Sequence, residues 1–110
     1  MTIDLTRFHD LADRTLDRIM AEVDRELGDE LDVEIHHEIL TIDLPGGGQY
    51  VLNKNAHLGQ LWLSSPKSGA WHFEWDQAAG DWRSTRGGEV HLGSLLAGEL
   101  TALTGVEIGF

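Results

Sequence analysis

Carboxylates dominate the first part of this chain, and their spacing suits cation chemistry. Thirteen of the nineteen acidic residues lie within residues 1–43 against four arginines, which leaves a formal charge of −9 there out of −11 for the chain. Plotted at about 100° per residue, four of these acids fall on one narrow helical stripe: Asp10, Asp13, Asp17 and Asp24. Carboxylates clustered without thiols suit hard cations such as Ca²⁺, Mg²⁺, Mn²⁺ and iron. The stripe therefore predicts a surface for a cation or for a basic partner protein, without choosing the ion.

The negative charge continues beyond this stripe, onto the segment 29–34, which contains no basic residue. A solvated, solubilising surface is the alternative interpretation, and helix pairs such as Asp10–Arg14 would add only about 0.3 kcal/mol each. Open carboxylates form no cage around an ion. We therefore expect any cation sites here to be weak, several in number and unselective.

The histidines add few further metal ligands. His36 and His37 are adjacent, and adjacent strand residues point to opposite faces, so we interpret this pair as the turn between two strands, with metal ligation as the alternative. His9 could join the acidic stripe from the start of the helix. Ser64, Ser65 and Ser68 lack a G-x-S-x-G setting. We therefore expect a protein that is not an enzyme.

Composition excludes several classes of protein. The chain has no cysteine, which excludes disulfides and cysteine-bound zinc or iron–sulfur centres. Its negative charge disfavours nucleic acid, which needs clustered Lys and Arg. Its apolar runs are too short to cross a bilayer, and its opening residues lack the layout of a signal peptide. We expect a cytoplasmic protein that binds no membrane and forms a single domain over 1–110.

The elements that must position these groups are two helices and six strands. Apolar spacing predicts a helix over 4–27, with Asp4 as its N-cap and Gly28 as its stop. A second helix over 90–103 is weakened by Gly93 and Gly98, at roughly 1 kcal/mol each relative to Ala. Strand-like runs lie between them at 31–35, 39–44, 50–53, 60–65, 70–75 and 82–86. Strands joined by short turns predict an α+β fold, a two-layer α/β sandwich with an antiparallel sheet of about six strands and both helices packed on one face.

All four tryptophans fall on these predicted strands. Core packing is the usual role of a buried tryptophan. Trp62, however, stands between Leu61 and Leu63, so its side chain must point away from the side that the leucines fill. An exposed tryptophan on an uncovered sheet face is typical of a binding anchor.

Several of these segments together resemble one known family. The strongest run is YVLNKN at 50–55, QLWLSSPKSG at 60–69 and WHFEW at 71–75, which resembles the frataxin family. The likeness extends to Asp81-Trp82, to LLAGEL at 95–100 and to the first helix. The short chain and its opening are similar to the bacterial frataxins, which lack a mitochondrial targeting segment.

The resemblance implies a function in iron–sulfur cluster assembly. On this resemblance we expect the protein to bind the cysteine desulfurase and modulate its activity, close to the iron–sulfur scaffold protein. We also expect it to carry weakly bound iron (Fe²⁺ or Fe³⁺), with other divalent cations as competitors. It would be a monomer, with an iron-dependent oligomer as the alternative. The rival functions are a ferroxidase or iron-storage protein and a metal-independent acidic interaction module.

The resemblance also assigns residues. Acids at or beside the family's metal positions form a set that we call the acidic band: Asp13, Asp17, Glu22, Asp24, Glu26, Asp29, Glu30, Asp32 and Glu34. Positions on the family's partner-facing sheet match Asn53, Lys54, Gln60 and Trp62. Where relatives have a glycine pair in the first hairpin, this chain has His37-Glu38, which predicts positive φ at one of the two. We expect the acidic band to converge on one exposed side of the molecule.

Overall fold

The computed structural model describes residues 4–110 and opens with a long amphipathic helix, α1, at Leu5–Leu27. Asp4 caps it as predicted, because its carboxylate accepts a hydrogen bond from the Arg7 N–H at 3.0 Å. The buried stripe of α1 consists of Phe8, Ala12, Leu16, Ile19, Val23 and Leu27. Gly28 ends the helix in a right-handed conformation, with its N–H bonded to the carbonyl of Asp24.

Six strands follow, and every strand pairs antiparallel with its neighbours in sequence. They are β1 (Asp32–His36), β2 (Ile39–Asp43), β3 (Gln49–Asn55), β4 (Gln60–Ser65), β5 (Gly69–Asp76) and β6 (Asp81–Ser84), and the helix α2 (Leu92–Thr104) closes the order. This arrangement confirms the predicted fold class. Neither helix combines the length and the apolar character that a bilayer-spanning segment requires.

Both helices pack on one face of the sheet, and the hydrophobic core lies between the two layers. Alternate strand residues fill it: Leu40, Ile42, Tyr50, Leu52, Leu61, Leu63, Phe73 and Trp82. From α2, Leu92, Leu96 and Leu100 complete it. The opposite side of the sheet, which we call the open face, carries the intervening residues and is covered by no element within residues 4–110.

Three boundaries differ from the prediction by two residues, for tertiary reasons, and the others agree within one residue. β3 continues to Asn55 because this residue pairs with Gln60. β6 ends at Ser84, whose hydroxyl accepts a hydrogen bond from the Arg86 N–H at 3.1 Å. α2 begins only at Leu92, because the Val90 carbonyl accepts from the Ser84 N–H and holds that segment beside β6. Of the domain predicted over 1–110, residues 1–3 lie outside the described residues.

The turn between β1 and β2 carries more strain than predicted. His37 has φ of 51° and Glu38 has φ of 65°, so both residues, and not one, adopt the left-handed conformation. A two-residue hairpin turn of this kind matches the twist of its strands but favours Asn and Gly. The adjacent imidazole rings of His36 and His37 meet edge to face, with centroids 4.2 Å apart. The interpretation of this pair as the turn is therefore half right: His37 lies in the turn with Glu38, whereas His36 ends β1 and pairs with Ile39.

Candidate functional site

The acidic band divides at α1: at about 100° per residue, Asp13, Asp17 and Asp24 fall on one flank of the buried stripe of α1, and Glu22 and Glu26 fall on the other. α1 packs against β1, which is an edge strand of the sheet. Asp13 shares a lysine with Glu38 in the β1–β2 turn, which places the acidic stripe of α1 beside that turn. All members of the band are exposed except Glu22, which is half-buried. Val33 and Ile35 pack against the core, so Asp32 and Glu34, which alternate with them, turn to the open face. This part of the band therefore continues around the β1 edge onto the other face of the sheet.

Three members of the acidic band form ion pairs with nearby cations, which they share with other carboxylates. Asp13 lies 2.6 Å from the Lys54 ammonium. Arg25 contacts Glu22 at 2.5 Å and Glu26 at 2.9 Å, and these contacts, led by the hydrogen bond to Glu22, raise the pKa of Arg25. In the described part of the chain the other six acids make no ion pair: Asp17, Asp24, Asp29, Glu30, Asp32 and Glu34. These six are the carboxylates left to attract a cation.

One concave region of about 210 Å³ gathers acids between the end of α1 and the end of β2. Its lining includes Asp29, Glu30 and Asp32, and also Asp43, which the sequence analysis did not select. Asp43 stands directly opposite Asp32 on the neighbouring strand, and like charges in that position destabilise a sheet. The Gln49 amide donates a hydrogen bond to Asp43 at 2.7 Å. Counting outward from the two-residue turn at 37–38 would have revealed this pairing.

The donors of the band are separate carboxylates. Among residues 4–110, no group of three or more His, Asp or Glu side chains is arranged to hold one metal ion. Each exposed carboxylate can still offer one or two oxygens, and oxygen is the donor that hard cations and iron accept. The metal role of the nine acids therefore stays a prediction, for which the side chains have suitable chemistry.

The open face presents a fixed aromatic platform. Trp62 pairs across the sheet with Asn53 on β3 and with His72 on β5. The Trp62 and His72 rings stack, with centroids 4.0 Å apart and planes 9° from parallel. The Trp62 indole N–H donates to the Gln60 amide oxygen at 2.9 Å. The indole is thus held in one orientation beside two polar amides, as an anchor for a partner requires.

Lys54 does not share this face, which corrects its grouping with Asn53, Gln60 and Trp62. Consecutive strand residues point to opposite sides, so Lys54 points to α1, with 5% of its side chain exposed. Its Nζ lies 2.6 Å from Asp13 Oδ1, 3.1 Å from Glu38 Oε1 and 3.2 Å from His9 Nδ1. Burial works to lower the pKa of Lys54, but the hydrogen bonds to Asp13 and Glu38 prevail and raise it.

A buried carboxylate on α2 is a further polar centre that the sequence analysis missed. Glu99 is 7% exposed and accepts hydrogen bonds from Tyr50 Oη at 2.8 Å, Ser65 Oγ at 2.6 Å and Ser68 Oγ at 2.5 Å. Burial, together with the neighbouring Glu99, raises the pKa of the Tyr50 hydroxyl. The only sequence signal was a glutamate among the leucines of LLAGEL. Its position fastens the β4–β5 turn to α2, which is a structural role.

Known proteins are similar to this chain in sequence and in fold. The sequence profile of the frataxin-like domain matches residues 1–106. The mitochondrial frataxin of Arabidopsis thaliana is 38% identical over 106 residues, covering 92% of this chain and 56% of that protein. The iron–sulfur cluster assembly protein CyaY of Pseudomonas putida is 33% identical over 110 residues, covering 100% of this chain and 97% of that protein.

Solved structures agree with this relationship. The frataxin of Psychromonas ingrahamii superposes with a TM-score of 0.84 at 18% identity, covering 97% of each chain, which supports the fold alone. A trimeric frataxin of the yeast Saccharomyces cerevisiae, complexed with ferrous iron, superposes with a TM-score of 0.70 at 29% identity, covering 96% of this chain and 89% of that one. With its helix–sheet sandwich and a profile match over nearly all of its length, this chain belongs to the frataxin-like family.

Proposed function

We propose that this protein acts in iron–sulfur cluster assembly, as a non-enzymatic iron-binding protein that binds and modulates the cysteine desulfurase. Its relative in Pseudomonas putida is an iron–sulfur cluster assembly protein, and the yeast frataxin is complexed with ferrous iron. The observation that carries the proposal is the unpaired part of the acidic band, in which six exposed carboxylates lie along one edge of the fold.

Iron binds, in this proposal, to the unpaired carboxylates of the acidic band. Carboxylate oxygens suit Fe²⁺ and Fe³⁺ and equally suit other divalent cations, which compete. The concave region with Asp29, Glu30, Asp32 and Asp43 is the first candidate, because a cation there relieves the repulsion between Asp32 and Asp43. The sites are open to solvent, so the affinity is low and iron exchanges readily.

The same charge brings the desulfurase to the protein. A negative band steers a basic patch on the partner into contact and raises the association rate. The open face then supplies short-range contacts through Trp62, with Asn53 and Gln60 offering hydrogen bonds beside it. The iron–sulfur scaffold protein is the second partner of this surface. We propose that the protein is a cytoplasmic monomer. The alternative is an oligomer that forms only in the presence of iron.

A binding measurement with purified desulfurase tests the electrostatic step. We expect Glu30→Lys combined with Asp32→Lys to weaken binding at least about tenfold at low salt, because the steering charge is reversed. The matched control is Glu89→Lys combined with Glu107→Lys, which makes the same charge change at exposed positions outside the band. Equal weakening by both pairs, or unchanged binding with the first pair, would contradict the proposal.

Two further measurements separate this function from its rivals. Anaerobic calorimetry with Fe²⁺ should show weak binding that the Glu30→Lys, Asp32→Lys variant reduces, whereas a metal-independent acidic module would bind none. Stopped-flow oxidation of Fe²⁺ should run no faster than in buffer. Faster oxidation would instead indicate a ferroxidase.

A further inference from the structure

A cavity of about 430 Å³ lies between α1, the β5–β6 turn and the start of α2. This volume is in the range of pockets that hold small molecules. Its lining contains no member of the acidic band and no residue of the aromatic platform on the open face. The cavity is therefore separate from both surfaces described above.

The walls of the cavity include three aromatic rings from different parts of the chain. Trp75 comes from β5, Trp82 from β6 and Phe110 from the segment after α2. Trp82 is fully buried, whereas Trp75 and Phe110 are only half-buried. A flat apolar group in the cavity can therefore pack against the accessible parts of these rings, either stacked or edge to face.

Hydrogen bonds hold both indoles in place before any ligand binds. The Trp75 indole N–H donates to Gln77 Oε1 at 2.9 Å, and the Trp82 indole N–H donates to Thr15 Oγ1 at 2.8 Å. The two indole rings meet at 71°, with centroids 5.4 Å apart. Because neither ring has to be ordered on binding, a ligand loses little affinity to rearrangement of these walls.

Two arginines, Arg14 and Arg18, bring positive charge to this cavity in a protein of net charge −11. They lie one helical turn apart on α1, where like charges repel. Arg14 forms an exposed contact with Asp10 at 3.3 Å, and within residues 4–110 Arg18 makes no ion pair. An anion that contacts both guanidinium groups would relieve their repulsion.

Asp81, the one acid among the described lining residues, is engaged by the backbone. Its Oδ1 accepts from the Trp82 N–H at 2.7 Å, and its Oδ2 accepts from the Gly93 N–H at 3.2 Å. Both oxygens are thus occupied, which leaves the two arginines available to a carboxylate from outside. Guanidinium groups bind carboxylates through two parallel hydrogen bonds.

We propose that this cavity binds a small aromatic carboxylate, with its ring against Trp75 and Phe110 and its carboxylate on Arg14 and Arg18. The apolar rings of the walls select the aromatic part, and the arginines select the negative charge. The site does not rest on the proposed function, because it uses none of the residues assigned to iron or to the desulfurase.

An NMR titration with 2-naphthoate tests the site, because the four tryptophans report separately. We expect the indole N–H signals of Trp75 and Trp82, which line the cavity, to shift. The signals of Trp62 and Trp71, which do not line it, should stay in place. The uncharged analogue 2-naphthylmethanol should bind at least about fivefold more weakly, because it forms no ion pair with the arginines.

Removing both charges should abolish this preference. We expect Arg14→Gln combined with Arg18→Gln to weaken 2-naphthoate binding at least about fivefold and to leave 2-naphthylmethanol binding unchanged. Both arginines are exposed, so the double variant should keep the fold. The matched control is Lys67→Gln combined with Arg83→Gln, which removes the same charge at exposed positions outside the cavity.

Shifts at all four indoles, or none at Trp75 and Trp82, would overturn the proposal. Equal affinity for the acid and the alcohol would overturn it as well, and so would equal weakening by the two double variants. These variants leave Glu30 and Asp32 intact, so a failed naphthoate test and a failed desulfurase test are distinguishable.

Discussion

Glu99 shows how single residues fix the relative position of distant parts of this fold. A buried carboxylate is strongly disfavoured unless its oxygens are hydrogen-bonded. Here hydroxyl groups supply that stabilisation, from Tyr50 on β3, from Ser65 at the end of β4 and from Ser68 in the following turn. Because hydrogen bonds are directional, this network helps to fix the position of α2 on the sheet, together with the packing of Leu96 and Leu100.

Removing one of these donors should measure its contribution. We expect Tyr50→Phe to lower the free energy of unfolding by about 1.5–3 kcal/mol, because a buried hydrogen bond to a charged acceptor is lost. Urea denaturation provides the measurement. Ser94→Ala, at an exposed position on α2, is the control and should change little. A Tyr50→Phe effect as small as the control would show that the network adds no stability.

The Asp76–His91 contact makes part of the stability depend on pH. His91 Nε2 lies 3.1 Å from Asp76 Oδ2. This hydrogen bond, together with the Ala79 N–H, lowers the pKa of Asp76 below its ordinary value of 3.8. Since the folded-state pKa is depressed, the stabilisation is fully present above pH 3.8 and is lost as the pH falls through the lower folded-state value.

Thermal melts between pH 7 and pH 2 check this sign. We expect Asp76→Asn to melt below the unmodified protein at neutral pH and to converge with it under strongly acidic conditions, where Asp76 is protonated in both states. Glu107→Gln, at an exposed site, serves as the control for general charge effects. A difference for Asp76→Asn that stays constant with pH would contradict the assignment.

At the scale of elements, local patterns predicted every helix and strand, and tertiary contacts moved their ends. The apolar stripe of α1 and the alternation in β4 are local, so both were predicted within a residue. The start of α2 was placed two residues early, because the sequence does not show that Val90 bonds to Ser84 across the chain. The spacing of apolar residues contains no information about a hydrogen bond to another strand.

The residues of the candidate site were also predictable only where a local pattern marks them. The acidic band could be selected from charge and resemblance, but Asp43 required the β1–β2 register. Lys54 was grouped with the open-face residues by resemblance, although strand alternation places its side chain on the other face of the sheet from that of Asn53. The partners of Glu99 lie 31 to 49 residues away in sequence, beyond any local pattern.

The two glycines of α2 should respond oppositely to alanine. A Cβ at Gly98 meets no atom within 4 Å, so Gly98→Ala should stabilise the protein by about 0.5–1 kcal/mol through helix propensity and the unfolded state. A Cβ at Gly93 would lie 2.9 Å from Asp81 Oδ2, which accepts the Gly93 N–H and caps the helix. Gly93→Ala should destabilise it by about 1 kcal/mol or more.

Urea denaturation of the two variants checks this contrast, and each serves as the control for the other. Stabilisation by both substitutions would show that the Asp81 side chain moves away from the added methyl group without loss of stability. Destabilisation by both would mean that α2 tolerates no change at either position.

For the molecule as a whole, the uneven charge should make stability depend on ions. Repulsion along the acidic band opposes folding, so NaCl should raise the melting temperature by screening. A divalent cation that binds only the folded state should add about 1.4 kcal/mol at a tenfold excess over its Kd, which corresponds to several degrees. Differential scanning calorimetry with NaCl and MnCl₂ at equal ionic strength makes the comparison.

The Glu30→Lys, Asp32→Lys variant is the control for specific binding. Its melting temperature should respond less to Mn²⁺ and still respond to NaCl. If the melting temperature changes with neither salt, the carboxylates are too far apart to act together.

The meander of the sheet has a consequence for how the chain assembles during synthesis. Because each strand pairs with the one before it, hairpins can form successively as residues leave the ribosome, with little loop-closure entropy to overcome. The last layer of the interior, however, comes from Leu92, Leu96 and Leu100 of α2. Until that helix has emerged, the sheet exposes part of its apolar inner face, and exposed apolar surface on a nascent chain promotes aggregation.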